Sequence, residues 1–145
     1  MGEDLADESK TVQQVFDSTL DSVDHAERMA LELARESGFE EADLDRIGMS
    51  VRECMVNAVV HGNRYNSHKK VQFAVSRTPD SLVVRIADQG EGFDPGGVPD
   101  PVEGENLLRQ SGRGIFLMKT FMDELRVRHL HPGTEVTLVK KVVSK

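Results

Sequence analysis

The apolar positions of this chain follow two rhythms, and each predicts a kind of element. Between Leu20 and Glu36, Val23, Ala26, Met29, Ala30, Leu33 and Ala34 recur at intervals of three and four, which is one face of a helix, and Gly38 supplies a stop. A second helix is expected from about Glu41 to His61, ended by Gly62 and Asn63. Alternation marks the strands. Thr11 to Asp17 suggests a first one, and Val71 to Arg77 and Ser81 to Ala87 follow, joined by a Thr78-Pro79-Asp80 turn. Gln89 to Gly104 holds five glycines and three prolines, too many for either element, and reads as a long functional or mobile loop. A third helix is predicted from Gly114 to about Met122, then strands near Glu124 to His129 and Glu135 to Val142. With hairpin pairs dominating, the expected class is α/β in the α+β sense: a mixed or mostly antiparallel sheet with helices on one face.

The second helix carries the first candidate chemistry. On a wheel advancing about 100° per residue, Leu44, Ile47, Val51, Met55 and Ala58 form one apolar stripe that should face the sheet. Glu53, Asn57 and His61, spaced four apart, fall on roughly the opposite side. A solvated face would explain them. Yet Met49, Val56 and Val60 border that stripe, and Asn is a poor helix former, so a sheltered cleft explains them as well. In a cleft, Glu53 could act as general base toward a hydroxyl or a water. The amide oxygen of Asn57 is a neutral hard ligand suited to Mg²⁺ that also holds phosphate oxygens. Those two tasks side by side describe phosphoryl transfer. Cys54 lies on the core side of the wheel and reads as a small buried hydrophobe rather than a nucleophile.

Two glycine motifs follow. The strand Ser81 to Ala87 runs into Asp88-Gln89-Gly90-Glu91-Gly92-Phe93-Asp94-Pro95, where Gly90 and Gly92 permit a tight turn and close approach to a ligand. Asp88 would present a carboxylate acceptor at the strand's end, although such a motif is often only a turn. It is not a dinucleotide fingerprint, because Pro95 stands where the third glycine belongs, and the chain holds no P-loop. Gly112-Arg113-Gly114 leads directly into the apolar run Ile115-Phe116-Leu117-Met118. Glycines at a helix start bare orphan N–H groups that favour phosphate, with Arg109 and Arg113 adding positive charge; a flexible hinge is the plainer reading. Thr134, after Gly133, offers a hydroxyl for a ligand contact or for turn chemistry.

Composition narrows the class. At 145 residues the chain has the length of one ordinary domain. A net charge of −7 argues against direct nucleic-acid binding, which needs a basic footprint. No apolar run reaches transmembrane length, MGEDLADESK does not read as a signal peptide, and the single Cys54 fits a reducing compartment. A cytoplasmic protein without membrane contact is expected. Residues 1–10, acidic and without aromatics, are expected to be a flexible tail ahead of one domain over 11–145. His25, His68, His129 and His131 lack metal-ligand spacing and read as surface residues.

Taken together, the three blocks resemble the GHKL superfamily of gyrase B, the MutL repair proteins and two-component histidine kinases. ECMVNAVVHGN is similar to its N box, DQGEGFDP to its first glycine box, GRGIFLM to its second, and Gly133-Thr134 to a weaker fourth element. The resemblance runs from about Thr11 to Val143. Small size, the lack of a phosphoacceptor helix pair and the FMDEL tail resemble the branch of bacterial anti-sigma factors that are also serine kinases. The resemblance implies the Bergerat ATP-binding fold, a two-layer α/β sandwich with a mixed sheet of about five strands. It implies ATP (or ADP) and Mg²⁺ as cofactors, with Glu53 the base for a protein serine hydroxyl and Asn57 the Mg²⁺ ligand. Asp88 would accept from the adenine amino group, supported by Thr134. Gly90 and Gly92 would let the backbone pass the nucleotide, while Gly112, Arg113 and Gly114 would wrap the triphosphate. Gln89 to Gly104 would begin a mobile lid. His61 and Asn63 match the N box without an assigned contact. Implied partners are a sigma factor, a STAS-domain anti-anti-sigma factor and a second copy, paired through sheet-side surfaces.

Three functions fit these residues. One is a serine kinase that also sequesters a sigma factor. Another is a catalytically silent ATP-binding module that gates a protein partner, and a third is a detached histidine-kinase catalytic domain. Glu53 and Asn57 together favour the first, because a pure binder has no need of the base.

Overall fold

In the computed structural model, which describes residues 9–90 and 118–142, five strands form one sheet. The strands are β1 (Lys10–Asp17), β2 (Lys70–Arg77), β3 (Ser81–Ala87), β4 (Glu124–Leu130) and β5 (Gly133–Lys141), in the order β1-β2-β3-β5-β4. All four pairings are antiparallel, so the parallel component left open by the sequence is absent among the described residues. Short hairpins explain two of the four, β2 with β3 and β4 with β5. The turn from Thr78 to Ser81 closes on paired hydroxyls and a backbone bond, Thr78 N to Ser81 O at 2.9 Å, and hairpin connections can only join antiparallel neighbours.

Two helices, α1 (Leu20–Glu36) and α2 (Glu41–Val56), pack on one face. Thr19 caps α1 by accepting the Ser22 N–H at 3.3 Å, and Gly38, at φ +86°, ends the helical run in the left-handed region. The predicted apolar face of α1 is buried except for Met29, which packs at the margin of the core. The stripe Leu44, Ile47, Val51, Met55 and Ala58 is buried throughout. Across from it lie Phe73, Val75, Leu82, Val84, Ile86, Val136 and Leu138, the inward residues of the three central strands. Phe16 closes one end, its ring 5.8 Å from that of Phe73 and edge-on to His25 at 5.2 Å.

Two boundaries differ from expectation. Strand β1 begins at Lys10, one residue inside the segment read as a tail, because Lys10 still pairs with Arg77. Residues 118–121 are helical, in keeping with the third helix; its expected start at Gly114, residues 1–8 of the tail and most of the expected lid lie outside the described residues. The other difference concerns the second helix. It is α-helical only to Val56 and then widens into a π-helix over Asn57–Gly62, with Asn63 N reaching Ala58 O at 2.8 Å.

Candidate functional site

The π-helix decides where the polar residues of this segment go. A change from four- to five-residue bonding rotates every later side chain out of the α-helical phase, and such insertions concentrate at functional sites. Asn57, the first π residue, is buried to 6 % exposure, in keeping with a sheltered cleft and not a solvated face. Glu53, one α-helical turn earlier, is half-buried, and His61 is exposed. The expectation of one continuous Glu53–Asn57–His61 face is therefore corrected. Glu53 and Asn57 share a sheltered edge; His61 leaves it. The Nδ2 of Asn57 is buried with no hydrogen-bond partner among the described residues. An orphaned buried amide costs roughly 1–3 kcal/mol, and in a native protein it asks for a ligand or a water.

The last π residue, Gly62, lies against Asp88 just beyond the end of β3. A Cβ built on Gly62 would stand 2.5 Å from the carboxylate carbon of Asp88. Gly90 closes the same corner, because its own Cβ would come within 2.6 Å of the Gly62 carbonyl carbon. This backbone-to-backbone packing gives Gly90 a reason to be glycine before any nucleotide is considered. The carboxylate it helps enclose is 9 % exposed. Among the described residues both hydrogen bonds it accepts fall on Oδ1, from Gly90 N–H at 2.9 Å and Thr134 N–H at 3.2 Å. Asp88 returns the second bond, donating its own N–H to Thr134 O at 2.9 Å. Burial pushes the Asp88 carboxyl up to about 6, while the two backbone donors and the Lys69 charge pull the other way. With Oδ1 saturated from behind, Oδ2 is the atom suited to accept from a ligand's amino group.

Cys54 lies within electrostatic reach of both Glu53 and Asp88. Its thiol is fully buried, and desolvation first, then those two carboxylates, drive its pKa upward. It is an inert core residue, as the wheel predicted.

A second layer holds Asp88 in place, and the sequence reading missed it. Asn63 is 1 % exposed. Its Oδ1 accepts the Gln89 N–H at 2.8 Å, while Nδ2 donates to Ser18 Oγ at 2.9 Å and to Lys70 O at 3.0 Å. The Ser18 hydroxyl donates to Lys69 O at 2.6 Å, and Gln89 Oε1 accepts the Lys70 N–H at 2.6 Å. The turn after Asn63 is strained, with Arg64 and Tyr65 at φ +52° and +59°, a region that bulky side chains rarely adopt. His129 was also misplaced by the sequence. It is half-buried rather than on the surface, because alternation turns it inward, directly opposite Thr134.

Gly92, Arg109, Gly112, Arg113 and Gly114 lie outside the described residues. Of the sequence-predicted site residues that are described, the fold gathers Asp88, Gly90 and Thr134 at one corner. Glu53 and Asn57 lie along the helix that ends on that corner. Among the described residues no group of three or more His, Cys, Asp or Glu side chains converges as a metal cage. Mg²⁺ carried by phosphates needs only one or two protein oxygens, and Asn57 offers a neutral one.

A model of the histidine kinase-like ATPase domain matches residues 16–140. The chain belongs to that family. Its relatives include the serine-protein kinase RsbW of Bacillus subtilis, 30 % identical over 114 residues, covering 74 % of this chain and 71 % of that one. RsbW of Bacillus velezensis is 33 % identical over 118 residues, with the same shares of both chains. In a crystal structure of the RsbU and RsbW domains of Rv1364c from Mycobacterium tuberculosis, the fold recurs with a TM-score of 0.66 at 19 % identity. That match covers 90 % of this chain and 31 % of the longer one. The present chain is a member of the serine-protein kinase branch of the ATPase family. Among its described residues no helix is long and apolar enough to cross a membrane.

Proposed function

We propose that the protein is a bacterial cytoplasmic anti-sigma factor that uses Mg-ATP to phosphorylate a serine of a STAS-domain anti-anti-sigma partner. One observation carries the reading. A single six-residue π-helix begins at Asn57, whose buried Nδ2 lacks a hydrogen-bond partner among the described residues, and ends at Gly62, packed on the carboxylate of Asp88. A residue suited to a phosphate-bound metal and one suited to an adenine amino group are thereby tied to one rigid element, with Glu53 a turn upstream. Mg-ATP supplies the phosphoryl group. Glu53 takes the proton from the partner's serine hydroxyl, Asn57 Oδ1 orients the metal, and Asp88 Oδ2 accepts from the base. The resemblance would have Gly92 pass the nucleotide and Gly112, Arg113 and Gly114 wrap its phosphates, with the charge of Arg109 nearby; all five fall outside the described residues.

The opposite face of the sheet is proposed as the contact with a second copy. Alternation directs Val15, Ala74, Val83, Ala87 and Val139 to the side away from the two helices, among polar neighbours such as Gln13, Gln72, Arg85 and Thr137, and Val15 is 60 % exposed. Apolar residues set in a polar surround suit pairing of two copies.

The direct test incubates the protein with labelled ATP, Mg²⁺ and purified STAS-domain partners. Transfer of label to a serine of one partner is the expected result. Tight ATP binding with no transfer to any of them would favour the silent nucleotide-gated module.

A further inference from the structure

Asp88 is held by a buried side chain that touches no position assigned to the nucleotide. We propose that Asn63 is a positioning residue for base recognition. It fixes the Asp88-Gln89-Gly90 segment so that the Asp88 carboxylate meets the base at a set angle. The inference rests on the reading of Asp88 as the adenine acceptor.

Three observations carry it. Asn63 is almost wholly buried and satisfies all of its near neighbours at once, with each bond running to a different segment: the end of β1 at Ser18, the start of β2 at Lys70 and the residue after Asp88. Its amide has only one workable orientation, because the atom facing Gln89 meets an N–H and the atom facing Lys70 meets a carbonyl. No rotation of the amide gives the same set, so the bond to Gln89 is specified and not incidental. The segment is also clamped from its other side. Gln89 Oε1 accepts from Lys70 N–H, so Gln89 is held through its backbone by Asn63 and through its side chain by the strand Asn63 anchors.

The backbone N–H that Asn63 holds immediately follows the Asp88 carbonyl, and Asp88 N–H is already bound to Thr134 O. Asp88 is therefore pinned on both flanking peptide groups. Releasing the Gln89 side leaves Asp88 held by Thr134 and by the Gly90 N–H one residue beyond the freed peptide, so the carboxylate can tilt, and a hydrogen bond to the base weakens steeply with such misalignment. Contacts to phosphates, elsewhere in the site, would be untouched.

The test is Asn63→Ala in the full chain, measured for ATP and GTP binding by calorimetry and for kinetics with a STAS-domain partner. The variant should raise the ATP dissociation constant tenfold or more while GTP binding changes less than threefold. The preference for adenine should collapse, with the loss falling on KM for ATP rather than on kcat. Hydrogen exchange at the Gln89 amide should accelerate in the ligand-free protein. ATP affinity within twofold of wild type, or equal losses for ATP and GTP, would overturn the assignment. Should Asn63→Ala not fold, Ser18→Ala removes only the hydroxyl that accepts from Nδ2. A smaller loss in the same direction, with faster Gln89 exchange, supports the role, and unchanged base preference and exchange overturn it. The underlying reading fails separately: if Asp88→Asn leaves ATP affinity and base preference unaltered, adenine is not read at this corner, whatever Asn63 does.

Discussion

The carboxylate carbon of Asp88 lies only 2.5 Å from where a Cβ on Gly62 would stand. A turn of helix and the end of a strand thus meet without room for a methyl group, and the helix that carries Asn57 is pressed onto the strand that carries Asp88. Neither residue can shift alone. The relationship makes Gly62 a part of the proposed base pocket although it offers no functional group.

Gly62→Ala should therefore act on nucleotide binding more than its size suggests. The added methyl must displace the Asp88 carboxylate, because the alternative is to unwind the π-helix. Overpacking of this kind costs about 1–3 kcal/mol of stability. Thermal unfolding should show that loss, and ATP affinity should fall at least tenfold in the protein that remains folded. Wild-type affinity in Gly62→Ala would mean that Asp88 has slack that the packing denies.

Asp88 gives opposite pH trends for stability and for binding. Its carboxyl stands near 3.8 when unfolded and near 6 in the folded protein, where burial dominates. The folded state holds this proton more tightly, so ionised Asp88 destabilises the fold above about pH 6, and the cost disappears below about pH 4. A difference of that size corresponds to at most about 3 kcal/mol. Asp88→Asn should consequently melt higher than wild type at pH 8, with the gap closing toward pH 4. ATP binding should run the other way. The wild type should lose affinity as pH falls through about 6, since a protonated carboxyl is a poorer acceptor, and Asp88→Asn should bind weakly at every pH. Parallel melts and titrations from pH 5 to 8 check both signs.

Asn57 offers a similar separation of stability from function. Its Nδ2 is buried and unpartnered among the described residues. Removing an unsatisfied amide relieves a penalty of roughly 1–3 kcal/mol, which offsets much of the packing lost with the side chain. Alanine is also the better helix former. Asn57→Ala should accordingly melt within a few degrees of wild type in the absence of nucleotide. It should then fail to gain the extra melting temperature that Mg-ATP gives wild type over ATP with chelator. A preserved Mg²⁺-dependent shift would place the metal ligand elsewhere.

How far the sequence revealed this site depended on the range of each interaction. Leu44, Ile47, Val51 and Met55 were legible because a helical period repeats within one element and all four face the same core. Asp88 was legible because a carboxylate at a strand end followed by glycine has a local signature. Asn63 was not. Its partners lie 45, 7 and 26 residues away, and nothing in HGN tells a capping asparagine from one that joins three segments. The π-helix escaped for a related reason. The wheel advances at one angle, and the close packing of Gly62 on Asp88 that accompanies the change of phase is a tertiary contact. The departure of His61 from the cleft follows from that one missed element.

Glu53 separates kinase from binder. A general base contributes about 10²–10⁴-fold to rate while adding little to ground-state binding. Glu53 sits a full turn before the π-helix, away from the corner where Gly90 and Thr134 hold Asp88. Its carboxylate would, if anything, repel the phosphates it faces. Glu53→Ala should thus bind ATP as tightly as wild type or slightly more so, and should still hold its sigma factor. Phosphorylation of the STAS-domain partner should fall at least a hundredfold at saturating ATP. Glu53→Gln, which keeps the shape and loses the base, should match the alanine variant in rate. If Glu53→Gln instead phosphorylates at the wild-type rate, proton removal runs through another group and Glu53 serves only to shape the cleft.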